Sequence, residues 1–384
     1  MCFDFMTAAR VVFGPGRLRE VGVMTASLGR RVLVVTGRTP ARAHTLLALL
    51  QKEGVDTVTF GIPREPEIDM VREGSGLARA ESCDCVIGLG GGAALDAAKA
   101  IALLAANPGD VLDYLEIIGQ GRRPVEPALP FIAIPTTAGT GSEVTSNSVL
   151  ISPEDRVKVS LRSPLMLAKA AVVDPELTYD LPPRITATTG LDALTQLIEP
   201  FVSRKANALT DGICREGMTR ATRSLRAVFE RGRDVRARED MAVAGLFGGL
   251  ALANAGLGAV HGIAGPLGGM VSAPHGALCA ALLPKVVAVN LRALRERDPE
   301  SVVLARYDIV ARILTDDPRS LADDLGGWLE ELAGDLGIAG LAAYGVTSRH
   351  IPELAEKAAR ASSMKGNPIE LTPEEIASIV ESAL

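Results

Sequence analysis

The chain has 384 residues, 47% of them apolar and 22% charged, a balance typical of ordinary globular proteins and a length that suits two domains. Its 46 acidic residues outweigh 40 Lys and Arg, the net charge is −6 and no basic tract is present, so nucleic acid is not expected as a partner. Aromatic residues make up only 3%, which argues against stacking platforms for bases. The five cysteines (Cys2, Cys83, Cys85, Cys214, Cys279) are scattered without metal or redox spacing and read as buried, inert thiols of a reduced cytoplasmic protein. Residues 1–5 carry an early acid and no signal pattern. The most apolar windows are broken by Gly, Pro or charge before about 18 residues, so no membrane partner is expected.

In chain order, residues 31–36 read as a buried strand, 41–52 as a helix and 57–60 as a second strand. Residues 70–80 read as a helix, 85–89 as a third strand, 93–105 as an alanine-rich helix and 131–135 as a fourth strand. Strands separated by helices of this length imply a parallel sheet covered on both faces. From Pro182 onward helical periodicity dominates, through 186–203, 209–231, 238–255, 261–270 and 277–291. Prolines cluster between Asp174 and Pro183 and mark the boundary. The expectation is an α/β nucleotide-binding domain over 1–180 and an all-α domain over 181–384.

Two loops in the first half carry chemistry. Gly88-Leu89-Gly90-Gly91-Gly92 runs from a strand straight into a helix, where glycines let the backbone approach a pyrophosphate and free N–H groups point at it. The acid expected about 20 residues further on would be Asp110 or Asp113, and both fall in a loop. The segment Pro135 to Glu143, with Thr136, Thr137, Thr140 and Ser142, follows another strand. Carboxyl ends of parallel strands are where open α/β sheets bind ligands, so the two loops together point to a nucleotide.

In the second half, two of the four histidines, His261 and His275, lie in a glycine-rich apolar block. Upstream, Asp192 and Gln196 stand at i, i+4 on one helix face. Imidazole with a carboxylate is a ligand set for a divalent transition metal. His44 and His350 read as surface or packing residues.

The combination Gly90-Gly91-Gly92-x-x-x-Asp96-x-x-Lys99, Pro135 to Glu143, Gly190-Leu191-Asp192-Ala193-Leu194 and His261…Pro274-His275-Gly276 resembles the iron-containing (group III) alcohol dehydrogenase family across nearly the whole chain. The resemblance implies an N-terminal dinucleotide-binding α/β domain and an all-α, dehydroquinate synthase-like C-terminal domain. It further implies NADP or NAD contacted by Gly37, Arg38, Gly90, Gly91, Gly92, Asp96, Thr136, Thr137, Thr140 and Ser142. It assigns a divalent metal, iron(II) first and zinc as the other option, to Asp192, Gln196, His261 and His275. Lys158 matches a lysine often found near the family's active site. A homo-oligomer, most simply a dimer, is the base-rate expectation.

Three departures from the family pattern stand out. Gln196 replaces a histidine, and an amide oxygen is the poorer donor, so a more weakly held metal is expected. Gly265 replaces a histidine near the substrate and removes a proton relay. Gly37 stands where NAD-preferring members carry an aspartate, and Arg38 and Arg42 lie close by, which favours NADP(H) or dual use. The function implied is hydride transfer between nicotinamide and a small alcohol or aldehyde. The rivals are a metal-independent maleylacetate-type reductase, a lyase or cyclising enzyme similar to dehydroquinate synthase, and an inactive nucleotide-binding protein.

Overall fold

The computed structural model describes residues 2–384, and they form two compact units. One comprises Met6–Thr137 and Gly141–Thr178; the other comprises Tyr179–Leu384 with Ala138–Thr140 and the N-terminal residues up to Phe5.

The first unit is a six-stranded parallel sheet with helices. Its strands are β1 (Val11–Phe13), β2 (Arg31–Thr36), β3 (Asp56–Gly61), β4 (Cys85–Gly90), β5 (Phe131–Pro135) and, later in the chain, β8 (Ala170–Val173). Between them lie an antiparallel hairpin, β6 (Asn147–Ser152) with β7 (Val157–Arg162), and helices α1 (Val21–Ala26), α2 (His44–Lys52), α3 (Ile68–Ala80), α4 (Gly92–Ala106) and α5 (Val111–Tyr114). The sheet order is β1-β8-β5-β4-β2-β3. β4 and β5 are buried at every position, which explains their unbroken apolar runs; β3 at the edge alternates and carries threonines. From β2 the chain passes outward to β3, then returns to the other side of β2 at β4. The switch point of the sheet therefore lies between the carboxyl ends of β2 and β4.

The second unit is helical: α6 (Pro183–Val202), α7 (Ala208–Glu230), α8 (Val235–Ala255), α9 (Ala259–Met270), α10 (His275–Arg297), α11 (Val302–Thr315), α12 (Asp324–Asp335), α13 (Ile351–Ala359) and α14 (Pro373–Ser382). α6 is its axis: from Thr186 onward nearly every residue is buried, including Leu191, Leu194, Leu197, Ile198 and Phe201. Each such side chain contributes about 1.5–3 kcal/mol on burial. Asn207 caps α7 through a reciprocal box with Thr210, and Thr372 does the same for α14 with Glu375. α10 is the one unbroken helix among the described residues that is both long and strongly apolar. It runs through Pro284 and Lys285, and its most apolar 18-residue window is enough by length and composition to cross a bilayer. That window is 78% buried inside the protein, so its apolarity serves the core.

β1 and β8 are missing from the sequence reading because three and four residues are too few to show a period. β6 and β7 are a further pair it did not identify as a hairpin.

Candidate active site

In the α/β unit, three loops meet at the switch point. Gly90 at the end of β4 lies against the loop after β2: a Cβ built on Gly90 would sit 3.5 Å from Gly37 N and 2.6 Å from Ala94 Cβ, so only glycine permits this approach. The Thr136 N–H donates to Gly90 O at 2.9 Å, and Gly91 packs beside the Thr137 side chain. α4 begins at Gly92 with Gly91 as its N-cap and no side-chain cap, which leaves donors and the positive end of a helix dipole at this spot. Gly37 has open space around it, and Arg38 and Arg42 are exposed. Gly37, Arg38, Gly90, Gly91, Gly92, Thr136 and Thr137 therefore fall in one neighbourhood.

Asp96 and Ser142 take a different part. Ser142 Oγ donates to Asp96 Oδ1 at 2.5 Å, and Val149 N–H donates to Asp96 Oδ2 at 3.0 Å. Beneath them Lys99, 1% exposed, donates to Ser142 O and Thr145 Oγ1 at 2.9 Å each and to Asn147 O, and pairs with Asp96. Burial lowers the Lys99 pKa against these partners. Asp96 and Lys99 thus clamp the loop after β5 to α4. Thr140 lies in the short segment that clusters with the helical unit. Asp110 is no candidate for a ribose: it pairs with Arg72 and, with Asp113, caps α5. Lys158 lies on β7 with its side chain only 6% exposed and its ammonium paired with Glu65.

In the helical unit, three elements bring together the residues expected to hold a metal. α6 supplies Asp192 and Gln196, α9 supplies His261, and α10 opens with His275. α10 reaches α6 at Gly276, where a built Cβ would stand 2.4 Å from Thr188 O. Asp192 Oδ1 and His261 Nε2 lie 3.3 Å apart, and the His261 and His275 ring centroids are 5.3 Å apart. Asp192 Oδ1, Gln196 Oε1 and His261 Nε2 are all buried without a hydrogen-bond partner among the described residues. Orphaned buried polar atoms are costly, about 1–3 kcal/mol each, so the facing pair Asp192 Oδ1 and His261 Nε2 marks a place built for a bound ion, while Gln196 Oε1 lies near Gly248 of α8.

The sequence reading missed two residues here. Glu199 on α6 accepts from Val260 N–H at 2.7 Å and holds His261 Nδ1 at 2.7 Å. It caps α9, whose own N-cap Gly258 has no side chain, while Asn367 accepts from Ala259 N–H at 3.1 Å. A carboxylate on Nδ1 fixes the tautomer that leaves the Nε2 lone pair free. Its signal was its place three residues after Gln196 on the same helix face. The second is Cys279, one turn after His275, with Sγ 3.6 Å from His275 Nε2. Far from being inert filler, it joins the cluster; Cys83, Cys85 and Cys214 are buried elsewhere and Cys2 is exposed.

Charges follow this geometry. Burial opposes ionisation of Asp192, but the nearby His261 and His275 rings hold its pKa below the usual carboxylate range. Burial also opposes protonation of His261, while contacts with Cys279, Asp192 and Glu199 raise its pKa. The Cys279 thiol is pushed up to about 11 by burial.

A parallel-sheet nucleotide-binding unit and a helical unit with metal donors together define a metal-dependent, nicotinamide-linked oxidoreductase. Comparison with known proteins agrees. Residues 8–175 match the family described as iron-containing alcohol dehydrogenase, and residues 186–384 match the C-terminal family of the Fe-containing alcohol dehydrogenases. The 1,3-propanediol dehydrogenase of Klebsiella pneumoniae is 33% identical over 99% of this chain and 98% of its own length. The NAD-dependent methanol dehydrogenase of Bacillus methanolicus is 33% identical over 99% and 100%. A crystal structure of 1,3-propanediol oxidoreductase superposes with a TM-score of 0.92 at 33% identity, covering all of both chains. The chain belongs to the iron-containing alcohol dehydrogenase family. Metal-independent reduction, cyclisation and inactive nucleotide binding are not favoured by these relatives.

Proposed function

We infer that this enzyme interconverts a small alcohol and its aldehyde, using NADP(H) or both nicotinamide cofactors and a divalent metal. The observation that carries the metal is the buried cluster of Asp192, His261, His275 and Cys279, in which Asp192 Oδ1 and His261 Nε2 are orphaned. Asp192, His261 and His275 would hold the ion, with a fourth donor from Gln196 or Cys279. When bound, it supplies a Lewis acid for the substrate oxygen.

The chain's own residues prepare both partners. Glu199 orients His261, and the tight approach at Gly276 sets His275 beside Asp192. The glycine turn and the uncapped start of α4 suit a pyrophosphate, and Lys99 holds the threonine loop in shape beside them. Open space at Gly37, with Arg38 and Arg42 exposed nearby, favours a 2′-phosphate, because no carboxylate stands there to repel it. Gly265 also faces open space, so no side chain at this position relays a proton.

The test begins with metal content by plasma mass spectrometry on protein purified without chelator. NAD(P)H turnover is then followed over short alcohols and diols, such as methanol and 1,3-propanediol, and their aldehydes. About one equivalent of metal, with activity lost in Asp192→Ala, is expected. Metal-free protein with full activity would refute the reading. Gly37→Asp should move the ratio of catalytic efficiencies toward NADH by about tenfold or more, roughly 1.4 kcal/mol; an unchanged ratio refutes the NADP(H) assignment.

A further inference from the structure

The cluster in the helical unit contains one donor more than the family pattern assigns. His275 and Cys279 are four residues apart and share one face of α10. Cys279 is fully buried, and its Sγ lies 3.6 Å from His275 Nε2. On the facing helices, Asp192 Oδ1 lies 3.3 Å from His261 Nε2. One donor atom from each of Asp192, His261, His275 and Cys279 falls within 4.8 Å of all the others. A tetrahedral ion with bonds of about 2.0–2.3 Å sets its donors about 3.3–3.8 Å apart. Both measured separations already have that value.

Position 196 has lost its imidazole at the same time. What remains there is a neutral amide oxygen, a hard and weak donor beside nitrogen and sulfur. We propose that the Cys279 thiolate, and not Gln196, is the fourth protein donor, giving an Asp192–His261–His275–Cys279 site suited to zinc or cobalt(II). The proposal rests on the reading that this cluster holds a divalent ion. Binding forms one sulfur–metal bond and releases the thiol proton to solvent. A divalent ion with one carboxylate and one thiolate is formally neutral, where one carboxylate with three neutral donors leaves +1. Sulfur also turns selectivity away from magnesium and manganese and toward zinc and cobalt.

Cobalt(II) is the probe, added to chelator-stripped, full-length protein. One equivalent should bring up a sulfur-to-cobalt charge-transfer band in the near ultraviolet. Cys279→Ala should abolish it, and Gln196→Ala should keep it. In chelator competition with zinc alone, Cys279→Ala should weaken binding by about 100-fold or more and Gln196→Ala by less than about tenfold, since even outer partners of a ligand are worth about 10–100-fold. X-ray absorption of the zinc-loaded wild type needs no variant and should find one sulfur at about 2.3 Å. One bound equivalent with only nitrogen and oxygen neighbours, or a band that survives Cys279→Ala, overturns Cys279 as a ligand and leaves the metal site standing. Failure to bind any divalent ion overturns both.

Discussion

Glu199→Gln is the most incisive perturbation of the metal cluster, because it changes one charge and almost no volume. The carboxylate is 5% exposed and accepts from two donors on different oxygens, Val260 N–H and His261 Nδ1–H, each at 2.7 Å. A glutamine has one acceptor arm and one donor arm. If its oxygen keeps Val260, its NH2 faces His261 Nδ1, and the ring must move its proton to Nε2 to answer. That places hydrogen on the atom needed for the ion. If the amide turns over, two donors confront each other at the start of α9. Either way one charge-assisted bond is lost, about 1.5–3 kcal/mol. The metal should therefore be held about 10–100-fold less tightly, equivalent to about 1.4–2.8 kcal/mol. Competition against a chromophoric chelator measures this directly, with thermal unfolding of the stripped proteins as the control for folding. A variant that binds within threefold of wild type would refute the tautomer argument.

Further outcomes follow from the same contacts. Gly276→Ala forces α10 away from Thr188 O, since the new Cβ would lie 2.4 Å from it, so metal content should fall to a small fraction of wild type; a full equivalent by mass spectrometry would show that the helices give way harmlessly. Lys99→Met takes the buried ammonium away from Ser142 O, Thr145 Oγ1, Asn147 O and Asp96, and urea unfolding should register a loss of about 3–5 kcal/mol, where a loss below about 1 would mean that the clamp is dispensable. Glu143 is buried, and burial pushes its carboxyl up from 4.5 to about 7, with Lys99 pulling the other way. Its proton is held more tightly in the folded state, so its contribution to stability is complete below about pH 4.5 and is lost as pH rises through about 7. Glu143→Gln should therefore gain on wild type between pH 5 and 8 by up to about 3 kcal/mol; parallel pH profiles would contradict this.

Much of the architecture was legible in the chain. Fully buried strands such as β4 and β5 are continuous apolar runs ending in glycine or proline, and α6 to α10 are long enough to show their period. The residues expected to hold a metal were legible for local reasons: Asp192 and Gln196 share a helix face, and His261 and His275 stand out among few histidines and many glycines. Asp96 reads as a cofactor-facing residue from its motif, yet its carboxylate is engaged by Ser142 and Val149, 46 and 53 residues on. No local pattern announces such a partner.

The sequence by itself determined four of the six sheet strands with their intervening helices, the parallel sheet, the family and three of the cluster's members, because periodicity, glycine turns and one-turn spacings act over a few residues. Tertiary packing decided the rest. Only the approach of α6 to α9 shows that Glu199, 62 residues away, sets the tautomer of His261. Only the approach of α10 to α6 turns Cys279 from a scattered thiol into a neighbour of Asp192 and both histidines. A ligand set is a coincidence of atoms in space, and side chains on separate helices acquire that coincidence when the helices pack.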